Sequence, residues 1–340
     1  MLWTRIASDG SPPKRYTLQV PFQLGPTHAL EITDDKMITF GDLNLEVLDN
    51  QGFQLLRISS FKSPEEAAAF FNQIRGALLS LIVRKKLSLR SVTNLQEVKI
   101  KEPPIDVRGN PNFGDLTEKK GWTHLDGYVD PSPAVVIPEH LRILEFGVGS
   151  MNATLSMPVL SFLNHITEEL ALPGPENVAA DERLSLAIDL YALSLWEKSR
   201  RSRVVSLATS LEALIKPEQV IEVVSRQIDH LLEFFDSSRD TSAENGQDRR
   251  ELNRLRSRLA GLREESISEN LRKLAAAHAK VIGETIDDAR RNMVAAYGVR
   301  SKLVHDGFAP EAEIASAADW LGKTVPAVLE KLVSEASKPA

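Results

Sequence analysis

The chain has 340 residues, of which 42% are hydrophobic and 26% are charged, and its formal net charge at pH 7 is −6. This length predicts about two domains, whose hydrophobic cores are large enough to fold without metal or disulfide cross-links. The sequence contains no cysteine, which excludes disulfides, thiol nucleophiles, iron–sulfur clusters and thiolate-ligated zinc.

The sequence also lacks the signals of a membrane or secreted protein. It has no run of about 18 or more apolar residues, and its N-terminal residues lack the apolar segment of a secretion signal. We therefore expect a cytoplasmic protein with no membrane partner. The acidic net charge argues against a nucleic-acid contact spread over the whole surface but leaves room for local basic patches.

Three early segments have the short, partly alternating patterns of β-strands, at 16–22, 43–48 and 53–59. A Gly-Asp pair and the turn-forming residues 49–52 separate them. Because only a few residues lie between the last two segments, we expect these segments to form a β-hairpin.

A helix is predicted to begin just after this hairpin. Ser63 is a candidate N-cap, Pro64 suits the first helical position, and Glu66 completes a capping box. Apolar residues then recur with a helical period, and the predicted helix ends in the basic residues 84–86. The following segment, 101–133, is rich in Pro, Gly, Asp and Asn, and we expect it to be a long surface loop.

The two halves of the chain have different patterns. Residues 134–175 form a transition segment, and the sequence Leu-Pro-Gly-Pro-Glu-Asn at its end marks the expected domain boundary. We therefore predict an α+β protein. A β-rich sensor or ligand-binding domain with one long helix would occupy 1–170, and an all-α helical bundle would occupy 178–336.

Apolar periodicity in the second half predicts six helices, near 179–199, 201–215, 218–235, 249–279, 285–305 and 311–334. The polar segment 237–250 is expected to be a mobile loop. Four leucines follow with a 3-4-3 spacing that spans less than two heptads, which favours one packed helix face over a coiled coil. They are Leu252, Leu255, Leu259 and Leu262.

The residues with the clearest chemical potential are Arg300 and His305, near the end of a predicted helix that Gly307 is placed to cap. Five residues of helix separate their directions by roughly 140°. Spacing alone does not identify a functional pair, because the helix dipole also favours a histidine near a C-terminus. A second chain could supply one member of the pair.

The sequence Arg-Ser-Lys-Leu-Val-His-Asp-Gly at 300–307 resembles the R-x4-6-H motif of HEPN domains (higher eukaryote and prokaryote nucleotide-binding domains). More specifically, it resembles the Apea-like branch, whose last core helix ends in a similar string, although Asp306 is an additional residue here. A second block, at 184–217, resembles the opening helical hairpin of that branch. The resemblance covers about 178–336, and residues 1–150 resemble no family that we recognise.

This resemblance implies a metal-independent endoribonuclease without a cofactor, in which the Arg and His of two chains face a shared cleft. RNA supplies its own nucleophile, the 2′-hydroxyl, so cleavage needs proton transfer and stabilisation of phosphoryl charge. His305 would act as general base or acid, and Arg300 would bind the phosphate. The matching blocks also make Ser301, Glu212 and Asp306 candidate supporting residues.

RNA binding requires positive charge, and a dense basic run lies between the first two predicted helices of the second half. Its members are Lys198, Arg200, Arg201 and Arg203. A second arginine-rich run lies at 249–258, although such runs are usually solvated helix faces. The expected partners are RNA and a second copy of the chain. The resemblance further suggests a bacterial role in phage defence or toxin-like growth arrest.

Two alternatives stay open. The helical half could be a non-catalytic module that binds RNA or nucleotides or mediates dimerisation, with Arg300 and His305 bonded inside one chain. The β-rich domain could instead bind a carbohydrate or another ligand on a helical scaffold. An open basic groove shared by two chains would favour the nuclease.

Overall fold

The computed structural model describes a large part of the chain as two compact units. Unit 1 comprises Met1–Ser206 and Leu329–Ala340, and unit 2 comprises Leu207–Val328. The expected boundary near 172–177 lies within unit 1. The described residues are 3–5, 15–25, 28–31, 37–50, 53–91, 95–96, 99–100, 122–126, 134–138, 143–144, 155–216, 222–242, 246–262 and 265–338.

The strands are β1 (Trp3–Arg5), β2 (Tyr16–Leu24), β3 (His28–Glu31), β4 (Met37–Phe40), β5 (Leu43–Asn50), β6 (Phe53–Phe61), β7 (Leu89–Ser91), β8 (Leu95–Gln96), β9 (Lys99–Ile100), β10 (Trp122–Asp126), β11 (Ala134–Pro138), β12 (Ile143–Leu144) and β13 (Leu155–Pro158). The helices are α1 (Pro64–Lys85), α2 (Val159–Leu170), α3 (Pro175–Ala180), α4 (Glu182–Trp196), α5 (Arg200–Ala213), α6 (Glu222–Ser242), α7 (Gly246–Gly261), α8 (Ile267–Ile282), α9 (Ile286–His305) and α10 (Glu311–Ala336).

The main sheet of unit 1 has the strand order β4-β5-β6-β2-β11-β8, and β7 also pairs with β2. Strands β5 and β6 form an antiparallel hairpin in which Asn50 lies opposite Phe53. Leu18, Leu45 and Ile58 lie side by side on one face of this sheet and are fully buried. The three predicted strands and their hairpin are therefore confirmed. Two smaller sheets have the orders β12-β1-β10-β9 and β13-β3.

Ten of the thirteen strands in the described part of the chain were not predicted, and two of them show why. Strand β10 falls inside the predicted loop 101–133, and it pairs antiparallel with β1 so that Trp3 lies opposite His124. The loop prediction is therefore wrong for Trp122–Asp126, and the rest of 101–133 lies outside the described residues. Strand β4 has only four residues, too few for alternation to be recognised in the sequence. It joins β5 through a turn at Gly41, whose φ is +58°.

Helix α1 begins as its sequence predicts. The Ser63 hydroxyl accepts a hydrogen bond from the Glu66 N–H at 3.2 Å, and the Glu66 carboxylate accepts one from the Lys62 N–H at 2.7 Å. Every residue from Gly76 to Val83 is buried, which requires cover on all sides of the helix. The main sheet contacts α1, as do helices α2, α3 and α4.

Helices α2 to α4 complete the core of unit 1. Phe162 of α2 stacks on Phe22 of β2 with ring centroids 5.1 Å apart. Arg75 of α1 donates to the Ala179 carbonyl at 3.2 Å and to the Ser185 hydroxyl. One turn further along α4, burial raises the pKa of Asp189 to about 6, although the charges of Arg75 and Arg90 oppose the shift. Charged groups as well as apolar contacts thus tie these helices to α1.

The helical half agrees with the sequence in outline and differs at two places. The expected loop 237–250 is wrong, because α6 continues to Ser242 and α7 already begins at Gly246. The expected helix 249–279 is divided into α7 and α8. Ser266 caps the start of α8 by accepting a hydrogen bond from the Glu269 N–H at 3.2 Å, and such a local cap competes with a continuous helix.

The chain is thus α+β, with an N-terminal region built on an antiparallel sheet and a helical C-terminal region. None of the helices in the described part of the chain is both long enough and apolar enough to cross a membrane.

We expect Gly76→Ala to destabilise the protein, because α1 and α3 approach closely at this position. An added Cβ would lie 1.8 Å from the Pro175 carbonyl oxygen and 2.5 Å from its carbonyl carbon. Relieving that clash should lower the free energy of unfolding by about 1–3 kcal/mol in a urea titration followed by circular dichroism.

The matched control for that substitution is Gly298→Ala in α9, where an added Cβ meets nothing within 4 Å. Alanine should raise stability there by about 0.5–1 kcal/mol because it favours helix. If Gly76→Ala is as stable as the wild type, α1 and α3 do not make this close contact.

Candidate functional site

Helix α9 carries both residues of the candidate motif. It begins at a side-chain cap, in which the Thr285 hydroxyl accepts from the Asp288 N–H at 3.1 Å. It ends at His305, and the Asp306 N–H donates to the Lys302 carbonyl at 2.8 Å. Gly307 follows with φ +69°, so its expected capping position is confirmed.

Arg300 points into unit 2 and is held by Glu212, which lies 88 residues earlier in the chain, in the last turn of α5. The Arg300 Nη2 donates to the Glu212 Oε2 at 3.1 Å, and the Nε lies 3.0 Å from Oε1. Their side chains are only 18% and 17% exposed. This two-point contact fixes the orientation of the guanidinium plane.

Tyr297 completes the surroundings of this arginine. Its ring centroid lies 5.8 Å from the guanidinium carbon of Arg300, within the range of a cation–π contact. The two residues are three apart on α9, so they are neighbours on the helix surface. The sequence analysis did not select Tyr297, and the three-residue spacing to Arg300 was the signal that could have found it.

Burial dominates the electrostatics of the Arg300–Glu212 pair. It raises the pKa of the Glu212 carboxyl above its ordinary value, although the Arg300 charge opposes the shift. Burial and the Glu212 charge likewise raise the pKa of the Tyr297 hydroxyl, again against the Arg300 charge. The attraction of Arg300 therefore does not fully compensate Glu212 for its lost hydration.

His305 has a different environment, since it is exposed at the end of α9 together with Val304 and Phe308. Within the described residues, its imidazole has no hydrogen bond or ion pair. One turn earlier, Lys302 pairs with Glu313 of α10 at 2.8 Å. The structure thus brings Arg300 and Glu212 together but leaves His305 outside their contact.

The remaining supporting candidates, Ser301 and Asp306, lie next to Arg300 and His305 in the chain. Ser301 is half-buried next to Arg300, and Asp306 is exposed and contributes its backbone to the end of α9. Within the described residues, no three His, Asp or Glu side chains are grouped closely enough to hold a metal ion.

The predicted RNA-binding run lies in unit 1, around the first turn of α5. All four side chains are exposed, and none has a carboxylate partner among the described residues. Cations at a helix N-terminus face the positive end of the helix dipole, so the run costs stability and concentrates positive charge. Its members are Lys198, Arg200, Arg201 and Arg203.

The second arginine-rich run differs, because part of it is neutralised inside unit 2. Arg254 pairs with Glu251 of the same helix. Arg256 makes a two-point contact with Asp236 of α6, at 2.8 and 3.0 Å.

A groove of about 590 Å³ lies between α9 and α10 in unit 2. Its polar residues are mostly bonded to other protein groups. Trp320 donates to the Glu284 carboxylate at 2.9 Å, and Asn292 donates to the same group at 3.1 Å. The groove is therefore a small-residue surface with few free polar groups.

Comparisons with known proteins give no relative: no protein-family model, no curated protein and no solved structure matches this chain. A functional assignment therefore depends on the residues of the site.

We expect removal of Arg300 to cost more stability than neutralisation of Glu212. Arg300→Met leaves a half-buried carboxylate without its counter-charge, which should lower the free energy of unfolding by about 1–3 kcal/mol at pH 7. Glu212→Gln keeps an acceptor for Arg300 and removes the charge that burial disfavours, so its stability should stay within about 0.5 kcal/mol of the wild type.

The pH dependence of unfolding tests whether the burial cost of Glu212 exceeds its attraction to Arg300. Because the pKa of Glu212 is raised in the folded protein, the folded state binds the proton more readily than the unfolded state does. The stability that this proton contributes is lost as the pH rises. The Arg300→Met deficit should therefore shrink on acidification. Lys302→Met, which breaks an exposed pair on the same helix, should change little. Equal losses for Glu212→Gln and Arg300→Met would contradict this account.

Proposed function

We propose that the protein is a metal-independent endoribonuclease of the HEPN type, with Arg300 and His305 as its catalytic residues. The observation that carries the proposal is that a fixed arginine and an accessible histidine lie on the last turns of one helix. Arg300 is held by two contacts to Glu212, and His305 is exposed five residues later.

The proposed reaction uses the substrate's own 2′-hydroxyl. The 2′-oxygen forms a bond to the adjacent phosphorus while the bond from phosphorus to the 5′-oxygen breaks. His305 takes the 2′-hydroxyl proton, and the leaving 5′-oxygen gains a proton. The products are a 2′,3′-cyclic phosphate and a 5′-hydroxyl end.

In this mechanism Arg300 stabilises charge on the phosphoryl oxygens. A guanidinium has five N–H donors in a fixed plane. The Nε and Nη2 face Glu212, so the other edge of the plane can donate to phosphate. Glu212 is then a positioning residue, which acts by fixing the direction of Arg300. As in the family it resembles, a second copy would bring another Arg and His to the same cleft.

One observation favours a second candidate function. The Arg300–Glu212 pair lies within one chain and ties α5 to α9, as a purely structural pair would. In that case the helical half binds RNA or nucleotides without cutting them, and His305 stabilises the negative end of the α9 dipole.

A role as a bacterial anti-phage or toxin effector in the cytoplasm follows from the proposed activity. Its support is the resemblance of 184–217 and 300–307 to the Apea-like branch. The N-terminal region would then carry the sensor that triggers cleavage.

His305→Ala should abolish RNA cleavage in the presence of a chelator, with a loss of at least about 100-fold, because it removes the proton acceptor. The assay is gel analysis of labelled RNA, with the fragment ends tested for cyclic phosphate. The matched control is His230→Ala, which removes another exposed histidine, on α6, and should cut like the wild type.

Two outcomes would overturn the nuclease. Cleavage that survives His305→Ala places the activity elsewhere or in a contaminant. RNA binding without cleavage, for wild type and variant over a range of RNAs and with lysate from phage-infected bacteria as a source of trigger, would favour the non-catalytic module.

Replacing Arg200, Arg201 and Arg203 together by alanine should weaken binding to single-stranded RNA. The slope of log affinity against log salt should fall by about 0.7 for each phosphate that the variant no longer binds. The triple variant should fold normally, because the change removes cations from the positive end of a helix. Fluorescence anisotropy at several salt concentrations measures both quantities.

The control for this triple variant replaces Arg272, Arg290 and Arg291 by alanine, three exposed arginines paired with carboxylates of their own helices. Their removal should affect affinity much less. An equal weakening of binding in both variants would mean that RNA responds only to total charge.

A further inference from the structure

The Arg300 guanidinium is in contact with one protein group at its edge and with another at its face. At the edge, the Nη2 donates to the Glu212 Oε2 at 3.1 Å, and the Nε lies 3.0 Å from Oε1. At the face, the guanidinium carbon lies 5.8 Å from the centroid of the Tyr297 ring. The proposed nuclease uses the first contact and has so far given the second no role.

The contact with Glu212 includes only one aligned hydrogen bond. The Arg300 Nε and the Glu212 Oε1 are both buried, and neither has a hydrogen-bond partner among the described residues, so their approach is a contact between charges. A carboxylate at the edge of a guanidinium acts within the guanidinium plane. It therefore restrains movement within that plane more than tilting out of it.

The Tyr297 ring provides a second restraint. The face of an aromatic ring carries partial negative charge and attracts a cation within about 6 Å of its centroid. Because the guanidinium group of arginine is planar, it also packs well against such a face. A ring at the face of the guanidinium therefore opposes tilting, which is the movement that Glu212 restrains least.

Two further observations place Tyr297 in the same cluster. It lies three residues before Arg300 on α9, so this one helix makes the two side chains neighbours, whereas Glu212 reaches Arg300 from α5. The Tyr297 side chain is half-buried, and both burial and the charge of Glu212 raise the pKa of its hydroxyl. The tyrosine therefore interacts with both members of the Arg300–Glu212 pair.

We propose that Tyr297 is a positioning residue of the nuclease site, whose ring holds the face of the Arg300 guanidinium so that the free edge meets the phosphate at a constant angle. The effect on cleavage rests on the proposed nuclease, whereas the effect on Arg300 itself does not depend on that activity. Tyr297 acts through Arg300 and needs no contact with RNA. Its hydroxyl is not required, because the attraction belongs to the ring.

Cleavage kinetics of the full chain test this role. Tyr297→Leu keeps an apolar side chain but removes the ring, so kcat should fall about three- to tenfold. KM should stay within about twofold, because Arg300 stabilises charge that develops in the transition state. Tyr297→Phe keeps the ring and should recover most of the lost kcat. The matched control, Phe234→Leu, makes the same exchange at a 72% exposed ring on α6 and should cut like the wild type.

Nuclear magnetic resonance of the Arg300 side chain tests the contact without RNA. The Nε–H signal of Arg300 in isotope-labelled protein is assigned by its loss in Arg300→Lys. In Tyr297→Leu this signal should move, because the ring current is lost, and nitrogen relaxation should show a more mobile side chain. Tyr297→Phe should resemble the wild type in both respects. Circular dichroism checks the fold, and Tyr297→Met gives the same comparison if Tyr297→Leu does not fold.

These measurements separate failure of the inference from failure of the nuclease. The inference is overturned if the Arg300 signal has the same position and mobility in Tyr297→Leu as in the wild type. It is also overturned if Tyr297→Leu has the wild-type kcat, changes KM alone, or is no slower than Tyr297→Phe. If the wild type does not cleave RNA, the proposed nuclease fails, and the Arg300 signal alone decides whether Tyr297 positions this side chain.

Discussion

The continuous burial of α1 is the constraint on which unit 1 depends. Eight successive residues from Gly76 to Val83 are buried, so the helix has no solvent-facing side over two turns. The sheet covers one side, and helices α2 to α4 are needed for the rest. This requirement explains why helices from the expected second domain join the N-terminal sheet in one compact unit.

In the Arg300–Glu212 pair, burial offsets the attraction between the two charges. A half-buried ion pair contributes little net stability when desolvation offsets its attraction, and here the raised pKa of Glu212 shows that desolvation is the larger effect. The pair nevertheless gives Arg300 one direction, with one edge of the guanidinium in contact with Glu212. An enzyme site needs such orientation, and the free end of α9 leaves His305 open to solvent. The same geometry also suits a structural tie, which is why the proposed function depends on a measurement of cleavage.

Local signals predicted the parts of the fold that local interactions determine. Alternation predicted strands at 16–22 and 53–59, Ser63 and Glu66 predicted the start of α1, and Gly307 predicted the end of α9. Helix α2 was missed because it follows Pro158 without a side-chain cap. The Ser266 cap was overlooked inside an otherwise periodic run.

The candidate site was predictable to a similar extent. The resemblance selected Arg300, His305 and Glu212 as candidates, but it could not show that Glu212 contacts Arg300 from 88 residues away. Nor could it show that His305 stays outside that contact, because the direction of each side chain depends on how α5 and α9 pack. The exposure of Leu255 and Leu262 was equally hidden, since the spacing of leucines along a helix does not show whether another helix covers them.

The buried carboxyl of Asp189 couples folding to the uptake of a proton. Because its pKa moves from 3.8 to about 6 on burial, folding of unit 1 takes up a proton between these values. Acidification through this range therefore relieves the cost of burying this carboxylate and adds to the stability of unit 1, whereas carboxylates in strong ion pairs make proteins less stable in acid. A slightly acidic medium would hold this part of the protein more firmly than a neutral one, and its folded and unfolded states would differ in net charge near pH 5.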